Sequence, residues 1–376
     1  MEIVLTLITA YLAVYSWYLF RLIRGFQKVP IFKPAAAKPE NLFSIIIPFR
    51  NESENLPALL QSLSALNYPH EMMEFIFIND QSTDDSDSLV NRWRLANPTL
   101  HTTMIDSVRL SASPKKDALQ RALPIAIHPY IITTDADCQM PPDWLLTFDS
   151  FIRQTAARFI AGPVVYIQSR KPLAVFQQTD FITLQAAGIG GFGLRDPFMC
   201  NAANLCFEVD FFKEIGGFQG NAHFASGDDV FLLQKAWSKQ PDAVRFLASR
   251  EAVVTSIPPQ SLGALFMQRV RWASKAKAYI SKLGEEVSLA VFFGNSMFLL
   301  GMILTLFNQV PWYLVCLWLT LKIIPDYVLS RCGHQMLHPK RVYLPLGTAF
   351  LYPIFSTLVG LYALNGTYYW KGRKLR

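Results

Sequence analysis

A chain of 376 residues is long enough for about two or three domains, and it is 51% hydrophobic but only 17% charged. Ordinary soluble domains carry about 25% charged residues, so this composition excludes both a disordered chain and a wholly soluble one. Five cysteines without a CxxC pair exclude a disulfide scaffold or zinc ribbon, and a net charge of +7 suits phosphate-bearing ligands or anionic lipid but is too diffuse to argue for nucleic acid.

Residues 3–20 contain no charged side chain and are long enough for about one bilayer crossing. No positive charge precedes them and no small-residue cleavage site follows, which favours a signal anchor over a cleaved signal peptide. Arg21, Arg24, Lys28, Lys33 and Lys38 then follow, with no acid before Glu40. By the positive-inside rule this cluster makes residues 1–24 a transmembrane anchor. It places residues 40–285 on the cytoplasmic side of a plasma (inner) membrane.

From Phe43 onward the pattern becomes short apolar runs separated by helical segments. Phe43–Phe49 reads as a buried strand, and Leu56, Leu59, Leu60, Leu63 and Leu66 form one face of a helix that Ser53 is placed to cap. Residues 75–78 read as a second strand ending at Asn79-Asp80, and 81–85 carry cap residues and acids for another helix. Ser113-Pro114 opens a helix beginning Lys115-Lys116-Asp117, and residues 130–133 and 159–166 read as further strands. This alternation predicts an α/β fold with a mostly parallel sheet covered on both faces, whose ligands bind beyond the carboxyl ends of the strands. Pro48-Phe49-Arg50-Asn51-Glu52, Asn79-Asp80 and Asp135-Ala136-Asp137 all fall at such ends and so share one edge.

On an extended strand Asp135 and Asp137 would point the same way, and their like charges would be stable with a cation or a hydroxyl-bearing ligand between them. Hard oxygen ligands without His or Cys suit Mg²⁺ or Mn²⁺, and an acid-rich turn before Pro141-Pro142 is the competing reading. Neither GxGxxG nor GxxxxGK[ST] occurs, which leaves metal-assisted handling of a nucleoside diphosphate. Residues 173–194 are apolar and Gly-rich, and read equally as a surface element on the membrane or as a buried helix and loop. Cys200 and Cys206 read as small buried residues, and His223 as a surface histidine.

Gly227-Asp228-Asp229, before the amphipathic stretch 230–237, reads by itself as a helix cap. Gln268, Arg271 and Trp272, spaced i, i+3, i+4, share a helical face on which Arg can clamp a diphosphate and Trp can stack on a sugar. The same helix carries Arg269, Lys275 and Lys277, so a basic helix gripping anionic headgroups competes with that reading. Farther on, residues 286–370 form a membrane domain of about three hydrophobic segments. Helices are expected near 288–307 and 311–330, parted by Asn308-Gln309-Val310-Pro311, with a basic cytoplasmic loop at 331–341. The third stretch, 342–370, contains Pro345 and Pro353, and a single crossing is favoured over a re-entrant pair.

Taken together, Ile46-Ile47-Pro48-Phe49-Arg50-Asn51-Glu52, Asn79-Asp80-Gln81-Ser82-Thr83-Asp84, Asp135-Ala136-Asp137, Gly227-Asp228-Asp229 and Gln268-Arg269-Val270-Arg271-Trp272 resemble family 2 glycosyltransferases with the GT-A fold. The likeness in order and spacing runs across residues 43–285, and the flanking hydrophobic segments resemble the lipid-linked branch that includes ceramide glucosyltransferase-like enzymes. The resemblance implies a Rossmann-like catalytic domain and a nucleotide-diphosphate sugar donor, commonly UDP-linked. Pro48, Asn51 and Glu52 would line the nucleotide pocket, Asp80 would hydrogen-bond the base, Lys116 would lie beside the nucleotide, and Asp135 would serve the ribose. Asp137 would hold Mg²⁺ or Mn²⁺. Asp229 would be the base that deprotonates the acceptor, against the cap reading, with Gln268, Arg271 and Trp272 near the diphosphate and acceptor.

The sequence departs from the family pattern at Asn79, where a second acid is usual, and at Ala202, where Gly is commoner. The expected activity is inverting sugar transfer to a lipid acceptor. Two other functions compete. A processive polysaccharide synthase would translocate its product, but about four crossings offer few helices to line a channel. A non-catalytic nucleotide-sugar-binding module is opposed by the intact Asp80, Asp135, Asp137, Asp229 and Trp272.

Overall fold

The computed structural model describes residues 1–108, 113–220, 227–274, 281–337, 346–364, 368–370 and 373–375. The chain opens with α1 (Glu2–Lys28), then β1 (Phe43–Phe49), α2 (Leu56–Ser64), β2 (Met73–Asn79), α3 (Ser86–Ala96), β3 (His101–Asp106), α4 (Pro114–Ala122) and β4 (Tyr130–Thr133). Next come β5 (Cys138–Gln139), α5 (Trp144–Thr155), β6 (Phe159–Ala161), β7 (Val164–Tyr166), α6 (Pro172–Gly193), β8 (Leu205–Glu208) and α7 (Val209–Glu214). They are followed by α8 (Asp228–Lys239), β9 (Val244–Phe246), β10 (Val254–Ser256), α9 (Leu262–Ala273), α10 (Lys282–Leu306), α11 (Trp312–Leu337), α12 (Leu346–Ala363), β11 (Tyr368–Trp370) and β12 (Arg373–Leu375). The elements assort into a sheet unit, Pro30–Ile167 with Cys200–Ile257, and a helical unit, Met1–Val29 with Gln168–Met199 and Pro258–Arg376. The continuous 40–285 segment expected from the sequence is thus divided between the two.

In the sheet unit, β1 and β2 are almost uninterrupted apolar runs, as strands covered on both faces require. They sit inside a seven-stranded sheet of order β3-β2-β1-β4-β8-β6-β9. Here β1 pairs parallel with β2 and β4, β2 with β3, and β6 with β9, while β8 runs antiparallel to both β4 and β6. The register Phe49↔Asn79 and Ile46↔Thr133 brings the carboxyl ends of β1, β2 and β4 to one edge.

The expected strand at 159–166 is interrupted at Gly162-Pro163. Its first half joins the large sheet and its second half a separate sheet, β5-β10-β7. Asn204, fully buried, packs at the break. Its Nδ2 donates to the carbonyls of Pro163 and Ala252, both at 2.8 Å, and its Oδ1 accepts from Trp144 Nε1 at 3.0 Å. The amide thus braces the bend from within, while the Pro163 carbonyl also accepts Val254 N–H at 3.1 Å as the chain passes to the second sheet, and a Cβ on Gly162 would stand 2.5 Å from Asn204 Cγ.

The segment leading into β1 is pinned by Asp149 of α5. Its Oδ1 accepts the N–H groups of Glu40 and Asn41, both at 2.9 Å, and Asn41 Nδ2 at 2.8 Å, while Oδ2 accepts Arg153 Nε at 2.9 Å. Burial alone would raise this carboxyl, but these hydrogen bonds outweigh it and hold it below its ordinary value. A depressed folded-state value adds stability that is present above about pH 4 and is lost as pH falls through it. Thermal melts in acid should therefore show a loss that Asp149→Asn flattens, and Asp149→Ala should destabilise by about 3 kcal/mol at neutral pH.

In the helical unit, α1, α10 and α11 are long and apolar enough to cross a membrane, and α12 is a shorter apolar helix. The two helices expected at 288–307 and 311–330 are longer, at Lys282–Leu306 and Trp312–Leu337, and they part where Asn308 to Pro311 was expected to break them. Of the two readings of residues 173–194, the structure takes the buried helix. These residues are almost entirely α6, buried along most of its length. It crosses α1 backbone to backbone, where a Cβ on Gly190 would stand 2.5 Å from the Leu22 carbonyl oxygen and a Cβ on Gly193 would overlap the Gly25 carbonyl. Within the bundle Lys322, fully buried, pairs with Asp326 and donates to Tyr15 Oη at 3.0 Å, while Tyr15 bonds Asp326. The charges are thus satisfied among the apolar helices.

Candidate active site

The loops after β1 and β2 brace each other. Asp80 N–H continues the ladder to Phe49 O at 2.9 Å. Asn51, at φ 50°, takes the left-handed conformation that Asn tolerates, and its Oδ1 accepts Thr83 N–H at 2.8 Å while its N–H donates to Ser82 Oγ at 3.1 Å. Ser53 is not the helix cap expected from the sequence: Asn55 precedes α2, and Ser53 N–H donates to Asp84 Oδ2 at 3.0 Å. Asp84 also accepts Ser86 N–H at 3.1 Å. Burial pushes its carboxyl up, but the bonds from Ser86 and Ser53 prevail and hold it far below the usual range. Glu52 N–H donates to Ser86 Oγ at 2.8 Å, and Glu52 Oε2 accepts Asn55 Nδ2 at 2.6 Å. Asp80 is buried, with Arg50 Nη1 donating to its carbonyl at 2.7 Å and lying 3.9 Å from Oδ2. Pro48 is the penultimate residue of β1 at the same edge.

Asp135 and Asp137 do not lie on a strand, as the sequence suggested, but in the turn between β4 and β5, closed by Cys138 N–H to Asp135 O at 3.1 Å. Strand periodicity therefore does not align them. Asp135 pairs with Lys115, and Asp137 Oδ2 accepts Ser256 Oγ of β10 at 3.2 Å. Burial raises the Asp137 carboxyl, and the negative charges of Asp135 and Glu52 push it further, to about 6. A crowded, half-buried carboxylate of this kind is what a hard divalent cation relieves. Among the described residues no three His, Cys, Asp or Glu side chains form a ready metal cage. One or two carboxylates completed by substrate phosphates and water is the normal Mg²⁺ pattern, so Asp137 and Asp135 fit such an ion.

The lysine expected beside the nucleotide, Lys116, is instead almost fully buried and paired with Asp228 at 3.2 Å, its ammonium 5.8 Å from the Phe231 ring centre. Neighbouring residues on a helix diverge by about 100°, and it is Lys115 that pairs with the strand-end acid Asp135. Burial acts to lower its ammonium, but the charge and hydrogen bond of Asp135, then the charges of Asp229 and Asp228, outweigh it and hold it above the ordinary lysine value. Lys115 thus pairs with Asp135 and lies within the field of Asp229. Adjacent lysines carry no signal of which one pairs with Asp135, so the sequence reading did not single out Lys115. Lys115→Met should leave the melting temperature nearly unchanged and lower sugar transfer about tenfold. Lys116→Met should lower the melting temperature, because it strands Asp228 at a cost of about 3 kcal/mol.

Asp229 lies in the first turn of α8, after Gly227 at φ 89°. Its Oδ2 accepts Ala202 N–H at 3.1 Å and its Oδ1 accepts Val230 N–H at 2.9 Å. The Ala202 carbonyl in turn accepts Thr133 Oγ1 at 2.6 Å, so one residue ties the end of β4 to Asp229. Burial, then the charge of Asp229, raises the Cys200 thiol, and burial raises that of Cys206, which disfavours the thiolate at both.

Gln268, Arg271 and Trp272 lie on α9 of the helical unit, each half-exposed. Arg269 corrects the headgroup-gripping reading, since it is buried and paired with Asp180 of α6 at 2.6 Å. Lys275, Lys277 and His223 lie outside the described residues.

A mostly parallel sheet with an antiparallel strand beside β4, and acid-bearing loops gathered at its carboxyl edge, is the arrangement of a GT-A fold. Comparison with known proteins agrees. Residues 44–205 match the family described as Glycosyl transferase family 2, and residues 130–325, more than half of the chain, match Glycosyl transferase family group 2. The chain belongs to the family 2 glycosyltransferases. It is 23% identical over 257 residues to glycosyltransferase AglE of Haloferax volcanii, covering 68% of this chain and 79% of that protein. It is 22% identical over 326 residues to the poly-beta-1,6-N-acetyl-D-glucosamine synthase of Staphylococcus epidermidis, covering 84% of this chain and 73% of the synthase. In fold it resembles the mannosyltransferase PcManGT from Pyrobaculum calidifontis, solved with GDP-Man and Mn²⁺, with a TM-score of 0.55, 17% identity and 96% of both chains covered.

Proposed function

We propose that the protein is a membrane-bound inverting glycosyltransferase that moves a sugar from a nucleotide-diphosphate donor, UDP-linked, to a lipid acceptor at the cytoplasmic face of the plasma (inner) membrane. The observation that carries this reading is the gathering of Glu52, Asp135, Asp137, Lys115 and Asp229 around one sheet edge, where Asp137 is crowded by Asp135 and Glu52 and Lys115 is held by Asp135, Asp229 and Asp228. Pro48, Asn51 and Glu52 line the nucleotide pocket, Asp80 hydrogen-bonds the base, and Asp135 serves the ribose. Asp137 holds Mg²⁺ or Mn²⁺, which when bound neutralises charge on the leaving diphosphate. Asp229 takes the acceptor's hydroxyl proton. The oxygen forms its bond to the anomeric carbon on the face opposite the diphosphate, and the bond from that carbon to the phosphate oxygen breaks. Gln268, Arg271 and Trp272 serve the diphosphate and acceptor by the motif they share with the family. The three long apolar helices support a lipid acceptor.

The likeness to the Staphylococcus synthase favours polymer formation as the second reading. The test uses purified, detergent-solubilised protein with Mn²⁺, radiolabelled nucleotide sugars and total membrane lipids. Counts in the organic phase are expected. Counts in a long water-soluble polymer would replace this reading by a synthase, and donor binding without any incorporation would replace it by a binding module. Asp137→Asn should abolish metal-dependent donor binding, measured by calorimetry.

A further inference from the structure

We propose that the buried ion pair Asp180–Arg269 is a positioning device that holds Gln268 and Trp272 in their working orientation; this rests on the role given above to the Gln268–Trp272 motif. Arg269 Nε donates to Asp180 Oδ2 at 2.8 Å, and its Nη2 lies 2.6 Å from the same oxygen. Its Nη1 donates to Gln268 Oε1 at 2.5 Å. The guanidinium carbon stands 4.4 Å from the centre of the Trp272 ring and 5.9 Å from that of Phe181, and those two rings are 6.0 Å apart. One planar group therefore grips a carboxylate along one edge, an amide along another and an indole with its face, which a lysine could not do. The start of α9 is held as well, because Gln177, one turn before Asp180 on α6, donates from Nε2 to Pro259 O at 2.9 Å.

Both charged partners are buried, whereas Gln268 and Trp272 remain half-exposed. A desolvated ion pair is poor value for stability alone, since well-packed apolar residues of similar size usually serve as well or better. What it supplies is direction. Gln268 and Trp272 are long side chains with rotamers to lose, and the pair removes that freedom before any ligand arrives. In this assignment Asp180 acts through Arg269.

The experiment measures steady-state transfer and melting temperature on the full-length protein in detergent. Asp180→Asn should lower kcat about a hundredfold, the scale of a misplacement of about 1 Å, with donor KM within about twofold. Asp180→Glu should recover part of that loss. The apolar double variant Asp180→Leu/Arg269→Met should melt at or above the parental temperature and still transfer poorly. In a Trp272→Ala background, Asp180→Asn should cost less than about threefold more, because the residues act as one unit. Parental transfer by the apolar double variant, or full multiplication of the two losses, would overturn the proposal. So would failure of both the Asn and the apolar variants to fold, which would make the pair a stability element. If Gln268→Ala and Trp272→Ala both transferred at the parental rate, the motif's role would fail instead, and that result is independent of Asp180.

Discussion

Asp229→Asn is expected to lower sugar transfer by about 10²–10⁴ while leaving donor affinity unchanged, the range for losing a general base. The substitution is close to isosteric, and the asparagine oxygen can still accept one of the N–H groups of Ala202 and Val230 that orient Asp229. Basicity is removed, together with one of the two accepted hydrogen bonds. The adjacent Asp228 cannot substitute, because it is buried and ion-paired with Lys116, and burial raises its carboxyl. Single-turnover kinetics and calorimetric titration of the donor, run on the same preparation, separate the two effects. Transfer at the parental rate would remove Asp229 from the mechanism, and lost donor binding would reassign it to the nucleotide side.

The second large effect is on folding. Gly193→Leu should cost the helical unit more than about 4 kcal/mol, in the exceptional tail of single substitutions. At the α1–α6 crossing a Cβ on Gly193 would overlap the Gly25 carbonyl, and a Cβ on Gly190 would stand 2.5 Å from the Leu22 carbonyl oxygen. Backbone cannot step aside as a flexible side chain can, so the two helices would have to separate and lose the small-residue packing that holds apolar helices together. Gly263→Ala, on α9 with nothing within 4 Å of the added carbon, is the control. It should be neutral, or stabilising by up to about 1 kcal/mol. Melting in detergent distinguishes the two, and equal melting temperatures for Gly193→Leu and the parent would show that the crossing is not needed.

Part of this site is legible residue by residue. Apolar runs of strand length ending in Asn51-Glu52, Asn79-Asp80 and Asp135 place those polar clusters at one edge, since parallel strands joined by helices must present the same ends together. The choice between Lys115 and Lys116 is not legible, because both precede the same apolar pattern and only the packing of α4 pairs one with Asp135 and the other with Asp228. Arg269 is similar. In sequence it belongs to a basic run ahead of a hydrophobic stretch, and only the presence of Asp180, 89 residues earlier in the chain, makes it a buried partner instead of a surface charge. The break at Gly162-Pro163 is likewise braced by Asn204, whose amide reaches it from another part of the chain.

By itself the sequence determined the α/β class, the apolar helices at either end and the order of the acid-bearing loops. These follow from local periodicity and from which residues can end a strand. The tertiary structure alone decided which of two adjacent charges points into the site, that residues 168–199 fold with the apolar helices, and what surrounds each carboxylate. Those outcomes depend on burial and on partners far away in the chain, and no local pattern encodes a partner's distance.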